Sequence, residues 1–190
     1  AKKDIKESDY KAAFESYTPE VTAQIIKLDS EDKAKEVLEA AKAEGADFAQ
    51  IAKDNSTHTA TKDKGGEVKF DSGTSGIPSQ VKEAAFKLDE NGISDVITVS
   101  AGQNYSASYY IVKLNKKTEK GSDWKKYEKR LKEIIVDGRK QDTNFIRSVI
   151  AKAMTNANIK VKDDAFKSTF NQYLQNIGVQ TSDSSSSSKK

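Results

Sequence analysis

The order of strand-like and helix-like segments between residues 20 and 117 constrains the fold of this chain more than any other feature. Val21–Leu28 is rich in β-branched residues, which favour strands. The polar residues Asp29–Glu31 follow it and can cap a helix, which Gly45 ends. The apolar residues of that helix recur at helical spacing: Ala34, Val37, Leu38 and Ala41. A strand that leads into an amphipathic helix predicts a mixed domain, because each element must bury its apolar side against another.

Further segments of the same kind complete this unit. The Gly65-Gly66 pair permits φ > 0 and therefore a sharp turn before the second strand. The segments are predicted, in chain order, as a helix, a strand, a helix and two strands: Asp47–Ala52, Glu67–Phe70, Pro78–Leu88, Asp95–Val99 and Ser108–Leu114. The pattern is β-α-α-β-α-β-β, which is an α+β domain of roughly 100 residues.

Helical patterns flank the unit on both sides. Before it, three aromatic residues share one side of a short helix that Pro19 ends: Tyr10, Phe14 and Tyr17. After it, the spacing predicts three helices, over residues 122–135, 142–156 and 163–177, with a short strand at Ile159–Val161.

The last residues differ in composition from the rest. From Thr181 the chain is polar and repetitive, which predicts disorder. We therefore expect an N-terminal helix and linker (1–19), an α+β domain (20–117), a helical segment (118–180) and a disordered tail (181–190).

Composition removes several classes of function. Lys+Arg 32 against Asp+Glu 29 gives a net charge of only +3, and no groove-reading motif is present, so we expect no nucleic-acid partner. The chain has no Cys, which excludes disulfides, Cys-ligated zinc and thiol nucleophiles. His58 is the single histidine, which excludes a site with paired histidine ligands. We expect no metal and no cofactor.

Short motifs in the middle unit resemble those of the parvulin-type peptidyl-prolyl isomerases. Four segments are similar to G-A-D-F-x-x-L-A-K, G-G-D-L, A-A-F-x-L and G-x-[VI]-S-x-[PV]-V-x-T, in that order: Gly45–Lys53, Gly65–Val68, Glu83–Leu88 and Gly92–Thr98. Each motif is short, and their order along the chain carries the resemblance. It implies a four-stranded antiparallel sheet with helices, and Xaa-Pro segments as partners.

The flanks resemble a narrower family, the PrsA-type foldase lipoproteins of Gram-positive bacteria, also called proteinase maturation proteins. The similar segments are Asp9–Glu20, Asn158–Asp163 and Phe166–Phe170, followed by a tail of serines and lysines. The resemblance implies an upstream chaperone domain, of which residues 1–19 are the end. It also implies an extracytoplasmic protein on the outer face of the cell membrane, tethered only through an N-terminal lipid. The cysteine that would carry the lipid is not in this sequence.

In parvulins an apolar cup for the proline ring is combined with two histidines, a Cys or Asp, and a Thr or Ser. The motifs place Gln24 and Tyr110 at the two histidine positions, so both imidazoles are replaced. They place His58 at the Cys or Asp position and Thr98 at the threonine position. Because the chain has one imidazole, no realignment restores the pair. Gln24 and Tyr110 can still hydrogen-bond to each other or to a substrate carbonyl.

The same resemblance assigns the cup. Val68, Ile77 and Val81 stand where the family commonly has Leu, Met and Phe, so the expected cup lacks an aromatic wall. Phe70 and Phe86 complete the predicted cup and its support.

The resemblance implies a foldase or chaperone that binds unfolded secreted proteins, and the replaced histidines predict weak or no isomerase activity. An active peptidyl-prolyl isomerase is the first alternative, and an adhesin that uses the parvulin domain as a scaffold is the second. An anionic cell-wall polymer is a further candidate partner, because lysines and arginines recur between residues 116 and 140. The simpler interpretation of that region is a solvated helix face with paired charges.

Overall fold

The computed structural model describes residues 4–100 and 107–157, together with the single positions 172 and 176. Its helices are α1 (Glu7–Ser16), α2 (Glu31–Lys42), α3 (Phe48–Asn55), α4 (Ser79–Lys87), α5 (Glu128–Gln141) and α6 (Thr143–Ala157). Its strands are β1 (Val21–Leu28), β2 (Glu67–Phe70), β3 (Ile97–Val99) and β4 (Ser108–Lys117). Short 3-10 turns lie at Lys62–Lys64 and Trp124–Tyr127.

The described residues form two compact units. One is Phe14–Lys126, and the other holds the described residues up to Ala13 and from Tyr127 onward. In the second unit α5 and α6 pack on each other. The guanidinium of Arg139 on α5 forms an ion pair of 2.8 Å with the carboxylate of Asp9 on α1.

The larger unit is built on a four-stranded antiparallel sheet with the strand order β2-β1-β4-β3. The two longest strands, β1 and β4, pair in the middle of the sheet from Val21 opposite Lys117 to Leu28 opposite Tyr109. With α2 and α3 after β1 and α4 after β2, the observed order is β-α-α-β-α-β-β. The predicted α+β class and the antiparallel sheet are therefore confirmed.

Each face of the sheet carries its own apolar core, because successive side chains of a strand point to opposite faces. On the α4 face the buried cluster includes Val21, Ala23, Ile25, Phe70, Val81, Ala85, Tyr110, Val112 and Leu114. On the face covered by α2 and α3 it includes Ile26, Leu28, Ala34, Val37, Ala41, Phe48, Ala52 and Ile111. Burial on both faces explains why β1 shows adjacent apolar residues rather than strict alternation.

Polar caps fix the starts of the two helices on that second face. The Ser30 hydroxyl accepts a hydrogen bond from the Lys33 N–H at 3.5 Å at the start of α2. The Asp47 carboxylate accepts one from the Gln50 N–H at 3.1 Å at the start of α3. These side chains satisfy backbone donors that the first helical turn leaves unpaired.

Several predicted boundaries differ from those in the structure. Strand β3 begins at Ile97 rather than Asp95, because the Ser94 hydroxyl accepts the Val112 N–H at 3.0 Å and takes the place of a ladder carbonyl. The helix predicted to end at residue 135 continues, as α5, to Gln141. The strand predicted at 159–161, the helix predicted at 163–177 and the predicted tail lie outside the described residues, apart from the single helical positions 172 and 176.

None of the described helices has the length and apolar character needed to cross a membrane.

The turn into β2 depends on glycine at one position in particular. Gly66 has φ +80, and a Cβ there would lie 2.6 Å from the Ile25 carbonyl oxygen. The approach is close because the Ile25 N–H donates to the Gly66 carbonyl at 2.9 Å, which continues the β1–β2 pairing beyond β2 itself. An added methyl group would therefore meet backbone, which cannot rotate away.

We expect Gly66→Ala to lower the free energy of unfolding by about 3 kcal/mol, as strain from φ > 0 adds to the collision with β1. Gly45→Ala is the matched control, since Gly45 has φ +75 with open space around it. It should cost only about 1 kcal/mol. Urea unfolding followed by circular dichroism measures the free energy of unfolding of both variants. Equal losses would show that the close approach of Gly66 to β1 does not add to the cost of the substitution.

Candidate functional site

The five predicted cup residues all lie in or against the apolar cluster on the α4 face. Phe70 and Val81 are fully buried, with 1% and 0% of their surface exposed. Val68, Ile77 and Phe86 are half-buried and pack against the cluster from its rim. The first two can therefore only support a binding surface, whereas the other three can contact a bound chain.

An aromatic ring borders this surface although position 81 is valine. The Phe86 ring lies 5.7 Å from the Phe70 ring, centroid to centroid, with 53° between the planes. This tilted arrangement is a favourable geometry for two aromatic rings. Phe86 thus supplies an aromatic border from a position five residues after Val81 on α4.

The loop that carries Ile77 is held by two sets of hydrogen bonds. The Tyr17 hydroxyl donates to the buried Asp71 carboxylate at 3.1 Å. The Lys82 ammonium on α4 donates to the carbonyls of Ser72 and Thr74 at 2.9 and 2.8 Å. The loop contains no helix or strand of its own, and these bonds fix it to Tyr17, which precedes β1, and to α4.

Gln24 lies on the opposite side of the sheet from the cup. Its side-chain amide donates to the Gly65 carbonyl at 2.9 Å, and Gly65 lies against Ala49 of α3. By the alternation of side chains along β1, Gln24 shares its face with Ile26 and Leu28.

Tyr110 points to the cup face. It is 7% exposed and belongs to the same cluster as Phe70 and Val81. Its neighbours across the strands are Lys27 on β1 and Ile97 on β3. Burial raises the pKa of the Tyr110 phenol, and the charge of Asp29 adds to the rise. The phenol is therefore protonated at neutral pH and can donate a hydrogen bond.

The expectation that Gln24 and Tyr110 can hydrogen-bond to each other was wrong. Their side chains leave the sheet on opposite faces, and Gln24 is directly opposite Lys113 rather than Tyr110. Thr98 is exposed and is opposite Tyr109, so it shares the face of Gln24. Tyr109 is four residues from Lys113, which separates Thr98 from Gln24 by about 13 Å along the strand direction alone.

His58 lies in the loop after α3. Its Nδ1 is 2.8 Å from the Thr61 hydroxyl, and its backbone N–H donates to the Ser56 hydroxyl at 3.2 Å. The ring is half-buried. Burial lowers the pKa of the His58 imidazole below 6.5, and the positive charge of Lys27 lowers it further. The ring is therefore neutral at pH 7, and its one hydrogen bond holds it within its own loop.

Comparison with known proteins decides the family. The sequence model of one protein family, described as rotamase, PPIC-type PPIase domain, matches residues 16–116 of this chain. The chain belongs to this family.

The named relatives that the chain resembles are foldase proteins. The chain is 64% identical over 178 residues to foldase protein PrsA of Streptococcus sanguinis, covering 94% of this chain and 53% of that protein. The crystal structure of foldase protein PrsA from Streptococcus pneumoniae is similar with a TM-score of 0.83 and 56% identity, over 90% of this chain and 62% of the other. That of the Lactococcus lactis foldase has a TM-score of 0.71 and 38% identity, over 88% and 60% of the two chains.

The resemblance to PrsA-type foldases with a parvulin domain is thereby confirmed. The chain nevertheless spans only 53% to 60% of the length of the curated relatives that it matches.

The strand register of this PPIase-type domain identifies two residues that the motifs missed. Lys113 and Glu67 are the direct neighbours of Gln24 on β4 and β2, so the row across the sheet is Glu67, Gln24 and Lys113. The signal that could have found them is the pairing of β1 with β4, because an antiparallel register fixes every opposite pair once a single pair is known. The polar group next to Gln24 on β4 is therefore the Lys113 ammonium and not the Tyr110 phenol.

Within the described part of the chain, no group of three or more His, Asp or Glu side chains could hold a metal ion.

We expect the His58 imidazole to titrate below pH 6.5 when its ring protons are followed by NMR, which is unambiguous since the chain has one histidine. Lys27→Met should raise this pKa only in part, because burial is the larger cause. A pKa at or above 6.5 in the native chain would show that the ring is solvated.

The same shift has a consequence for stability. The unfolded chain binds a proton at His58 more readily than the native chain, so stability is unaffected above pH 7 and falls as the pH drops below about 6.5. His58→Gln should reduce this loss between pH 7 and pH 5, as measured by urea unfolding at each pH. An unchanged pH profile would contradict the assignment.

Proposed function

We propose that this chain is part of an extracytoplasmic foldase that binds extended apolar segments of secreted proteins after export and has weak or no prolyl isomerase activity. The observation that carries the proposal is the separation of its polar groups from each other. Gln24 bonds to Gly65 on one face of the sheet, Tyr110 lies on the other, and His58 bonds to Thr61 in its loop. No imidazole pair is available to act on an amide in the cup.

Rotation about the peptide bond must overcome a barrier of about 18–20 kcal/mol. Binding of the proline ring in an apolar cup is therefore not sufficient for efficient catalysis. Binding demands much less. Val68, Ile77 and Phe86 are half-buried, and covering the rest of each would contribute about 1 kcal/mol. A total of about 3 kcal/mol, before the cost of ordering the client, gives weak and rapidly reversible binding. That strength suits a chaperone that shields apolar stretches and then releases them.

The remaining expectations belong to this proposal. The clients are unfolded or partly folded secreted proteins, including Xaa-Pro segments. The full-length protein is held at the outer face of the Gram-positive membrane by an N-terminal lipid. Residues 1–19 and 118–180 belong to its chaperone domain. The names of the relatives, each a foldase protein PrsA, support this setting. An anionic cell-wall polymer stays a candidate partner.

An active prolyl isomerase is the second candidate, and one observation favours it. Tyr110 presents a protonated phenol on the cup face. A hydrogen bond from it to the carbonyl of a twisted Xaa-Pro amide would stabilise the transition state. Membership of the PPIC-type family agrees with either candidate.

A paired assay separates the candidates. With this chain we expect little acceleration of cis-trans isomerisation in a proline-containing tetrapeptide, but suppression of the aggregation of insulin B chain after reduction. Strong acceleration without suppression would favour the isomerase. If the chain shows neither acceleration nor suppression, the adhesin alternative is favoured.

We expect Ile77→Asp to weaken aggregation suppression at least threefold, because it places a charge on the half-buried rim of the cup. Gln80→Asp is the matched control, since it makes the same change of charge at an exposed position of α4. Light scattering during aggregation gives both results. Equal activity of the two variants would mean that the cup does not bind clients.

A further inference from the structure

Strand β2 forms one edge of the sheet, next to the cup. It is the first strand in the order β2-β1-β4-β3, and β1 is its only partner strand among the described residues. An edge strand presents backbone donors and acceptors that can pair with another extended chain. The direction of those groups on β2 follows from the hydrogen bonds around it.

The pairing with β1 fixes which backbone groups point outward. The Ile25 N–H donates to the Gly66 carbonyl at 2.9 Å, so Gly66 faces β1. In an antiparallel pair, residues that face the partner alternate with residues that face away. Val68 and Phe70 therefore face β1, opposite Ala23 and Val21. Glu67 and Lys69 direct their N–H and C=O groups away from the sheet.

In the part of the molecule that the structure describes, those outward groups form no hydrogen bond with another backbone group. Within residues 4–100 and 107–157, no hydrogen bond involves the backbone N–H or C=O of Glu67 or Lys69 outside the sheet. Both residues are exposed. Water can solvate the groups at this edge, and an extended chain can replace that water without displacing any part of the described fold.

The side chains of β2 give this edge two different sides. Val68 and Phe70 lie on the α4 face with the apolar cluster, and Val68 is half-buried at its rim. Glu67 and Lys69 point to the other face. A strand added beside β2 would place every second side chain next to Val68, where it would extend the apolar surface of the cup, and would leave the others in water.

We propose that the β2 edge binds extended, unstructured polypeptide by strand addition, with apolar side chains at alternate positions against the cup. The inference rests on the proposed function, because it assumes that unfolded segments are the clients. It adds a recognition rule, since backbone hydrogen bonds tolerate many sequences while the alternating pattern selects β-prone stretches. Proline is not required, and it is excluded from the positions that pair with Glu67 and Lys69.

The dimensions of the edge fit transient binding. Strand β2 has 4 residues, and only two of them direct groups outward, so few hydrogen bonds can form. A short edge that carries a lysine also resists stable pairing with a second copy of the same edge. Binding by this edge is therefore weak and reversible, as release of a client requires.

The ligand-side test uses two peptides. One is a fluorescent octapeptide that alternates threonine and valine between terminal lysines, and the other is the same peptide with its threonine amides N-methylated. With the valines beside Val68, the threonines are opposite Glu67 and Lys69, so their amides are the ones that would pair with β2. We expect fluorescence anisotropy to show at least tenfold weaker binding of the methylated peptide, since methylation removes the donors and blocks strand pairing. Equal binding of the two peptides, or no binding of the unmodified one, would overturn the proposal.

The protein-side test uses Lys69→Pro and Lys69→Ala in the full 190-residue chain. The proline removes one outward N–H without breaking the pairing with β1, and the alanine removes the side chain but keeps the amide. We expect at least a fivefold loss of peptide affinity for the proline variant relative to the alanine variant. Equal affinities in two variants with native circular dichroism would overturn the edge site.

Aggregation suppression separates this inference from the proposed function. If the chain suppresses aggregation of the insulin B chain but binds both peptides equally, the foldase function stands and the edge site is wrong. If it neither suppresses aggregation nor binds the unmodified peptide, both are wrong.

Discussion

The pairing of β1 with β4 is the constraint on which the rest of the larger unit depends. These two strands lie in the middle of the sheet, and their register assigns every side chain along them to one face or the other. Ile25 opposite Val112 supplies the core under α4, and Ile26 opposite Ile111 supplies the core under α2 and α3. A shift of one residue would exchange the two cores, so the register is strongly specified by burial on both faces.

The same register explains why the residues of the proposed cup stay together on one face while the polar groups are dispersed. The cup is part of the apolar core under α4, and that core is needed for stability whatever occupies the polar positions. Gln24 is satisfied by the Gly65 carbonyl and His58 by Thr61, each within its own local structure. Polar groups that are already paired have little tendency to reorganise around a substrate. The apolar core under α4 therefore does not depend on which residues occupy the polar positions.

Sequence patterns predicted most of the fold because they report local periodicity and capping. The run at Val21–Leu28 and the capping segment Asp29–Glu31 are local signals, and the structure contains both, with Ser30 as the cap. The start of β3 was missed because the Ser94 hydroxyl replaces a backbone partner, which no propensity encodes. The pairing of Gln24 with Lys113 was missed for a related reason. Motifs locate positions along the chain, whereas a site depends on which residues are opposite each other across strands.

The central claim is that clients bind on the α4 face and not on the face of Gln24. The most direct measurement is NMR of the isotope-labelled chain during addition of an unfolded peptide, with the methyl groups of Val68 and Ile77 and the side-chain amide of Gln24 followed together. The account predicts that the two methyl signals shift while the Gln24 amide, bonded to Gly65, does not. Shifts at Gln24 and Thr98 with unchanged Val68 and Ile77 would contradict it.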